Sequence, residues 1–225
     1  MMLVLLFDID GTLVDARGAG GTSLRTAFAD VFDVVEPAKV PFSGRTDRGI
    51  AREMFLLHGI ADTNRNFQAL QWEYLTRLPN QLQLSGGVIL PGVGELLERL
   101  SQNSDVIMGL LTGNMFDGAR LKLNYFGLFS CFAFGAFGDT AIDRNEVARQ
   151  ALRLAFMQCN AVADEVDVWV IGDTPLDIQC ARAIDAKVLA VGTGIHPLDE
   201  LESHRPDVLL EDLHDCHEVL RVLYG

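Results

Sequence analysis

Apolar residues fall along this chain in short unbroken runs, separated by stretches where they recur every third or fourth position. The runs at 2–7, 105–111 (DVIMGLL), 131–134, 167–171 (DVWVI), 188–191 (VLAV) and 207–210 each predict a strand. A strand open to water on one side alternates apolar with polar residues, so unbroken runs favour a parallel sheet covered on both faces. Helical spacing appears between the runs, at Leu96, Leu97 and Leu100, at Ala148, Ala151, Leu152 and Ala155, and at Ile178, Ala181 and Ile184. From residue 86 onward strands and helices take turns. That order predicts an α/β fold, a doubly wound and mostly parallel sheet with a Rossmann-like core.

Residues 22–83 break the alternation. Leu24, Ala27, Phe28 and Val31 lie at helical spacing, and 47–58 and 64–78 also read as helices. No strand is evident there. The pattern predicts an inserted α-helical cap over 17–85, with the α/β core formed by 1–16 and 86–225. The borders, ARGAGG (16–21) and SGGVILPGVG (85–94), are glycine-rich. Such segments suit hinges that absorb backbone rotation, although they also suit ordinary turns.

Composition narrows the class of partner. The chain has 225 residues, enough for one large domain or one domain with an insertion. Its net charge of −13 argues against nucleic acid or an anionic membrane, because binding there needs clusters of Lys and Arg. A phosphorylated small molecule remains admissible, since one divalent cation inverts the local field. Cys131, Cys159, Cys180 and Cys216 are far apart in sequence, with no metal or disulfide spacing among them. They suit small hydrophobes in a reducing cytoplasm. The first apolar run lacks a basic lead and stops at Asp8, unlike a signal peptide, and no run is long enough to span a membrane.

The stretch LLFDIDGTLVD (5–15) carries the first chemistry. Residues two apart on a strand share a face, so Asp8 and Asp10 project together at the strand's carboxyl end. That end is where open α/β sheets bind ligands. A second pair occurs in WVIGDTPLD: Asp173 ends an apolar run, and Asp177 follows Pro175 in what reads as the first turn of a helix. If the two strands are neighbours, four carboxylates converge, and like charges packed together in a buried place call for a cation. Mg²⁺ is the natural choice for an all-oxygen site. Each aspartate could instead cap a helix or a turn.

Two polar segments join this group. In LLTGN (110–114), Thr112, Gly113 and Asn114 end a strand where a hydroxyl and backbone N–H groups can hold phosphate oxygens, or cap the helix expected at 116–125. In AIDRNEVARQAL (141–152), Arg144 near a helix start can fork onto phosphate, or pair on the surface with Asp143 or Glu146. In the insertion, Gly44-Arg45-Thr46-Asp47 precedes a helix. Arg45 suits a carboxylate-bearing substrate or a solvated surface, and Thr46 or Asp47 a helix N-cap. Trp72, Tyr74 and Trp169 read as core, His196 as turn packing, and His214 and His217 of HDCH as an exposed helix face rather than zinc ligands.

The ordered set DIDGTLVD, LLTGN, DRNE and GDTPLD resembles the haloacid dehalogenase-like (HAD) superfamily, and most nearly its phosphoglycolate phosphatase-like members with a helical cap after the first motif. The resemblance spans nearly the whole chain. It implies a phosphatase in which Asp8 attacks phosphorus and Asp10 serves as acid and base. Mg²⁺ would be held by Asp8, the Asp10 backbone carbonyl and Asp173, with Asp177 orienting metal-bound waters. Thr112, Gly113 and Asn114 would hold the phosphate together with a basic residue. The family's usual Lys-Pro third motif is absent. Arg144 takes its place by position, with Lys122 as the alternative. GRTD at 44–47 resembles the substrate loop, which implies a substrate role for Arg45. The presence of Asp10 favours phosphoester over halide chemistry, and Lys39, the only lysine between residues 16 and 86, offers no evident Schiff base. The implied partner is a small phosphorylated metabolite resembling phosphoglycolate. A phosphomutase and a non-catalytic phosphate-binding module are the alternatives.

Overall fold

The computed structural model describes residues 2–159 and 166–225. Strands β1 (Met2–Phe7), β4 (Val106–Leu111), β5 (Phe134–Ala136), β6 (Val166–Gly172), β7 (Lys187–Val191) and β8 (Val208–Leu210) form one sheet in the order β5-β4-β1-β6-β7-β8. Every neighbouring pair runs parallel. The α/β, doubly wound expectation holds. From the central β1 the chain builds outward through β4 and β5 on one side. It then crosses back to β6, β7 and β8 on the other. The carboxyl ends of β1 and β6 therefore meet where the winding reverses, the position at which such sheets leave a crevice.

The unbroken apolar runs are explained by cover on both faces. Leu3, Leu5 and Phe7 pack with Leu96, Leu97 and Leu100 of α4 (Val93–Ser101), with Ala119 and Leu123 of α5 (Phe116–Tyr125), and with Val219 of α9 (Cys216–Tyr224). Val4 and Leu6 point the other way, into Val147, Ala148 and Ala151 of α6 (Arg144–Cys159) and Ile178 and Ala181 of α7 (Pro175–Arg182). The period of two along β1 thus assigns its side chains to two cores. A helix α8 (Leu198–Ser203) completes the second half.

Helices α1 (Ala19–Phe32), α2 (Asp47–Leu57) and α3 (Asn64–Ser85) bury a third cluster, including Leu24, Phe28, Met54, Phe55, Leu70, Tyr74 and Leu78, closed by Met115 from the loop before α5. Emptying its centre by Phe28→Ala would cost about 3–5 kcal/mol. No strand interrupts residues 22–83, as expected. The two borders are tied together by a feature the pattern did not predict. β2 (Val14–Asp15) pairs antiparallel with β3 (Val88–Ile89), so the chain leaves and re-enters through one short ribbon.

Three expectations need correction. The strand expected at 131–134 lies at 134–136, because Phe129–Cys131 forms a 3₁₀ turn. The helix expected to stop at 78 continues through Pro79 to Ser85, drawn on by burial of Leu82. Trp72 is 75% exposed rather than core, since the buried face of α3 runs through Phe67, Leu70, Tyr74, Leu78 and Leu82. Tyr74 and Trp169 are buried as expected, and His214 and His217 are exposed, with His214 just ahead of α9. All four cysteines are free; Cys180 and Cys216 are buried, while Cys131 and Cys159 are only half-buried. Among the described residues no helix is long and apolar enough to cross a membrane.

Candidate active site

Asp8 follows directly on β1, and its backbone N–H donates to Ile171 O across the sheet at 3.0 Å. That bond sets Asp8 level with Gly172 and Asp173 at the end of β6. Asp177 comes to the same point from α7, whose start is fixed by a capping box: Thr174 Oγ1 accepts from Asp177 N, and Asp177 Oδ2 accepts from Thr174 N. Carboxylate oxygens of Asp8, Asp173 and Asp177 all lie within 4.8 Å of one another, and all three residues are buried. Thr12 Oγ1 donates to Asp173 Oδ1 at 3.0 Å. The other oxygen of Asp173 packs on the backbone of Gly11, where φ is +85° and a Cβ would sit 2.3 Å from it. Glycine is therefore required after Asp10 on both conformational and steric grounds.

One cation enters this acidic cluster. Arg144, the first residue of α6, is buried, with Nη2 2.5 Å from Asp177 Oδ1 and 3.0 Å from Asp8 Oδ1. The surface pairing with Asp143 or Glu146 that the sequence allowed is not what forms. The contact with Asp8 is an ion pair without a hydrogen bond, so Asp8 Oδ1 is buried with no hydrogen-bond partner among the described residues. Burial pushes the Asp8 carboxyl up to about 6; Arg144 opposes this, and Asp177 and Asp10 add to it. Burial also raises Asp173 well above the usual carboxylate range, with Asp177 and Asp8 contributing. Burial alone would lower Arg144, but Asp177 and Asp8 hold it above its ordinary value.

The donor set fits a small divalent cation. Two buried carboxylates, Asp8 and Asp173, are disfavoured as anions, and one of their oxygens is orphaned. A cation with oxygen preference answers both conditions. Asp177 lies within reach, yet both of its oxygens are already taken, by Thr174 and by Arg144.

Asp10 lies at the cavity edge and is held from a different side. Lys122 Nζ donates to Asp10 Oδ2 at 2.5 Å and to Asn114 Oδ1 at 2.6 Å. Asn114 Nδ2 donates to the same Asp10 oxygen at 2.8 Å and to Thr112 Oγ1 at 2.9 Å. Thr112 does not cap α5; Met115 holds that position. Gly113 and Asn114 line the cavity beside the acids, whereas Thr112 is fully buried behind Asn114.

The cavity has a volume of about 500 Å³, walled on one side by the acids and on the other by the helical segment, including Arg25, Phe42, Arg45, Asp47 and Tyr74. Thr46 is the N-cap of α2 and accepts from Gly49 N at 3.0 Å. Arg45 lies at the cavity but pairs with Glu53 at 2.6 Å and donates to Pro41 O at 3.1 Å. Arg25 stacks 5.5 Å from the centroid of Phe42. Burial pushes the Asp47 carboxyl up to about 6, against the pull of Lys122. His196 packs through Ser43 Oγ and Glu200 Oε2, each at 3.0 Å. The hold of Lys122 on Asp10 was missed by sequence reasoning. Its signal was a charge at i+3 from Ala119, beside Leu123 on a buried helix face, where a lysine needs a partner.

A parallel sheet with an acidic cluster at its winding reversal and helices inserted after the first strand defines a class of hydrolase. The chain belongs to the haloacid dehalogenase-like hydrolases, whose family model matches residues 5–182. It is 26% identical over 219 residues to the "Probable phosphatase IndB" of Dickeya dadantii, covering 94% of this chain and 90% of that protein. It is 26% identical to the "Phosphoglycolate phosphatase" of Synechococcus elongatus over 224 residues, covering 99% of each. It is 25% identical to "Pyrophosphatase PpaX" of Listeria monocytogenes, covering 96% of this chain and 95% of that one. In fold it matches a hydrolase from Pseudomonas syringae, with a TM-score of 0.71, 22% identity and 99% of each chain covered. It also matches CbbY from Rhodobacter sphaeroides, solved with phosphate, with a TM-score of 0.70, 16% identity and 96% of each chain covered.

Proposed function

We propose that this protein is a Mg²⁺-dependent phosphatase that hydrolyses a small phosphomonoester through a phosphorylated Asp8. The observation that carries the reading is the meeting of Asp8, Asp173 and Asp177 within 4.8 Å, with Arg144 between them and Asp10 at the cavity edge. The names of the relatives support the same chemistry. Mg²⁺, held by Asp8, Asp173 and the Asp10 backbone carbonyl, would neutralise the negative oxygens of the bound ester.

An Asp8 carboxylate oxygen attacks phosphorus as the ester P–O bond breaks, and Asp10 gives its proton to the departing alkoxide. Asp10, now a carboxylate, takes a proton from water. That oxygen attacks phosphorus, the bond to Asp8 breaks, and orthophosphate leaves. Arg144 and the backbone N–H of Gly113 hold the non-bridging oxygens, where transition-state charge collects. Asp177 keeps Arg144 aimed. Residues 17–85 act as a cap that keeps bulk water from the cavity and selects the substrate.

The substrate class is a carboxylate-bearing phosphomonoester such as phosphoglycolate. Arg25 and Arg45 both line the far wall, and Arg25 forms no ion pair among the described residues. Free cysteines suit a reducing compartment such as the cytoplasm. The test is phosphate release from a panel of phosphomonoesters with Mg²⁺ or EDTA, alongside Asp8→Asn. Mg²⁺-dependent release that falls to background in the variant, with a phosphoprotein trapped from wild type by acid quench, is expected. Undiminished release by Asp8→Asn overturns the covalent route.

A further inference from the structure

We propose that Lys122 is the positioning residue of the acid–base group: it anchors one oxygen of Asp10 so that the other faces the leaving group. The inference rests on the phosphatase reading above. Lys122 is 3% exposed, and its ammonium reaches Asp10 Oδ2 at 2.5 Å. The same oxygen accepts from Asn114 Nδ2 at 2.8 Å. Lysine only donates and a carboxylate only accepts, so the Asn114 amide is fixed, with Oδ1 toward Lys122 and Nδ2 toward Asp10. Asp10 Oδ1 has no hydrogen-bond partner among the described residues, and the side chain is 42% exposed where it lines the cavity. One oxygen is anchored and one is free.

The two buried cations therefore divide the work. Arg144 contacts Asp8 and Asp177, whereas Lys122 contacts Asp10 and Asn114. Lys122 is not a second candidate for the task of Arg144. Anchoring has a directional consequence for rate. As the proton leaves Oδ1 for the alkoxide, negative charge grows over the Asp10 carboxyl, and the ammonium at Oδ2 faces it. The interaction is stronger in the transition state than with the neutral acid, which is the condition for acceleration. It is also sheltered: a Cβ at Gly20 of α1 would come within 3.0 Å of Lys122 Nζ, so the inserted helix packs directly over the ammonium.

The experiment compares two esters on one preparation of Lys122→Met with Mg²⁺. Phosphoglycolate loses an alkoxide that needs a proton, whereas p-nitrophenyl phosphate loses a stable phenolate that does not. We expect kcat/KM for the alkyl ester to fall about 100-fold or more, and for the aryl ester by less than about tenfold. Lys122→Arg should recover part of the alkyl rate. In an Asp10→Asn background, Lys122→Met should cost the alkyl ester little further. Because both esters meet the same sample, the ratio of losses does not depend on how much variant is folded. Equal losses on the two esters, as a phosphate ligand or a purely structural residue would give, overturn the proposal, as does an unchanged alkyl rate. The alkyl ester is phosphoglycolate or, if the wild type does not turn it over, the alkyl ester of the panel it hydrolyses fastest. Absence of wild-type turnover on every ester of the panel overturns the phosphatase reading itself, a result read before any variant is made.

Discussion

The guanidinium of Arg144 stands 3.0 Å from the carboxylate of Asp8, with both side chains buried at the end of β1. It reaches Asp177 with the same nitrogen, at 2.5 Å. Arg144 is thus the counter-charge for two anions that water cannot solvate. Arg144→Met should lower phosphate release about 100–1,000-fold, the usual cost of one transition-state donor. It should also destabilise the fold by about 3–5 kcal/mol, because two buried carboxylates lose their partner. Arg144→Lys should recover stability more than rate, since an ammonium supplies charge without the fork. Steady-state kinetics and urea midpoints check both. A stable, fully active Arg144→Met would show that the cation serves neither purpose.

Cation binding is testable without turnover. Asp8 and Asp173 are raised by burial and by neighbouring carboxylates, so neutralising them should stabilise the protein. At a hundredfold excess over its dissociation constant, Mg²⁺ should add about 2.7 kcal/mol. Melting curves in Mg²⁺ and in EDTA should therefore separate for the wild type. In Asp173→Asn the EDTA curve should rise, as a buried like charge is gone, and the separation should close. A separation of wild-type size in that variant would place the ion elsewhere.

Much of this arrangement was legible in the residues. Strands covered on both faces leave unbroken apolar runs, which is why β1 and β6 stood out, and Asp8 and Asp173 were conspicuous as charges at their ends. The ribbon of β2 and β3 was illegible, because two residues carry no period. β5 was displaced because 131–134 begins inside the 3₁₀ turn at Phe129–Cys131, and an apolar composition does not mark where a turn ends. Trp72 misled because residue type was weighed over phase: it falls opposite the Leu70–Tyr74–Leu78 stripe. The partners of Arg144 and Lys122 were hidden for a different reason. Both ion pairs join residues distant in sequence, and only the sheet order brings them together.

Asp47 should leave a mark on the pH dependence of stability. Burial raises its carboxyl from the ordinary 3.8 to about 6, Lys122 opposes the shift, and Asp10 and Asp139 reinforce it. Between those values the native state holds the proton more tightly than the unfolded chain. Stability from this group is therefore complete below about pH 4, falls as pH rises to about 6, and changes no further above it. Asp47→Asn keeps an acceptor for Met115 N, which bonds Asp47 Oδ2 at 2.8 Å, but carries no charge. The variant should match the wild type near pH 4 and exceed it above pH 6, by at most about 3 kcal/mol at 1.36 kcal/mol per unit. Parallel pH–stability curves for the two proteins would contradict this account.

Docking of the helical segment onto the core turns on backbone contact at Gly113. Asp47 N donates to Gly113 O at 2.7 Å, and a Cβ on Gly113 would lie 2.0 Å from the carbonyl oxygen of Arg45. Both partners are backbone, so neither can swing aside. Gly113→Ala should hold the segment off the acids, admit water to the cavity and raise KM while lowering kcat. The buried cluster of α1, α2 and α3 is untouched by that change, so the melting temperature should move much less than the kinetics. Gly94 supplies the contrast. It lies in α4, and a Cβ there meets nothing within 4 Å among the described residues. Gly94→Ala should leave the kinetics alone and add about 0.4–1 kcal/mol by restricting the unfolded chain. If Gly113→Ala and Gly94→Ala proved kinetically alike, close backbone approach at Gly113 would not be what seats the segment over the site.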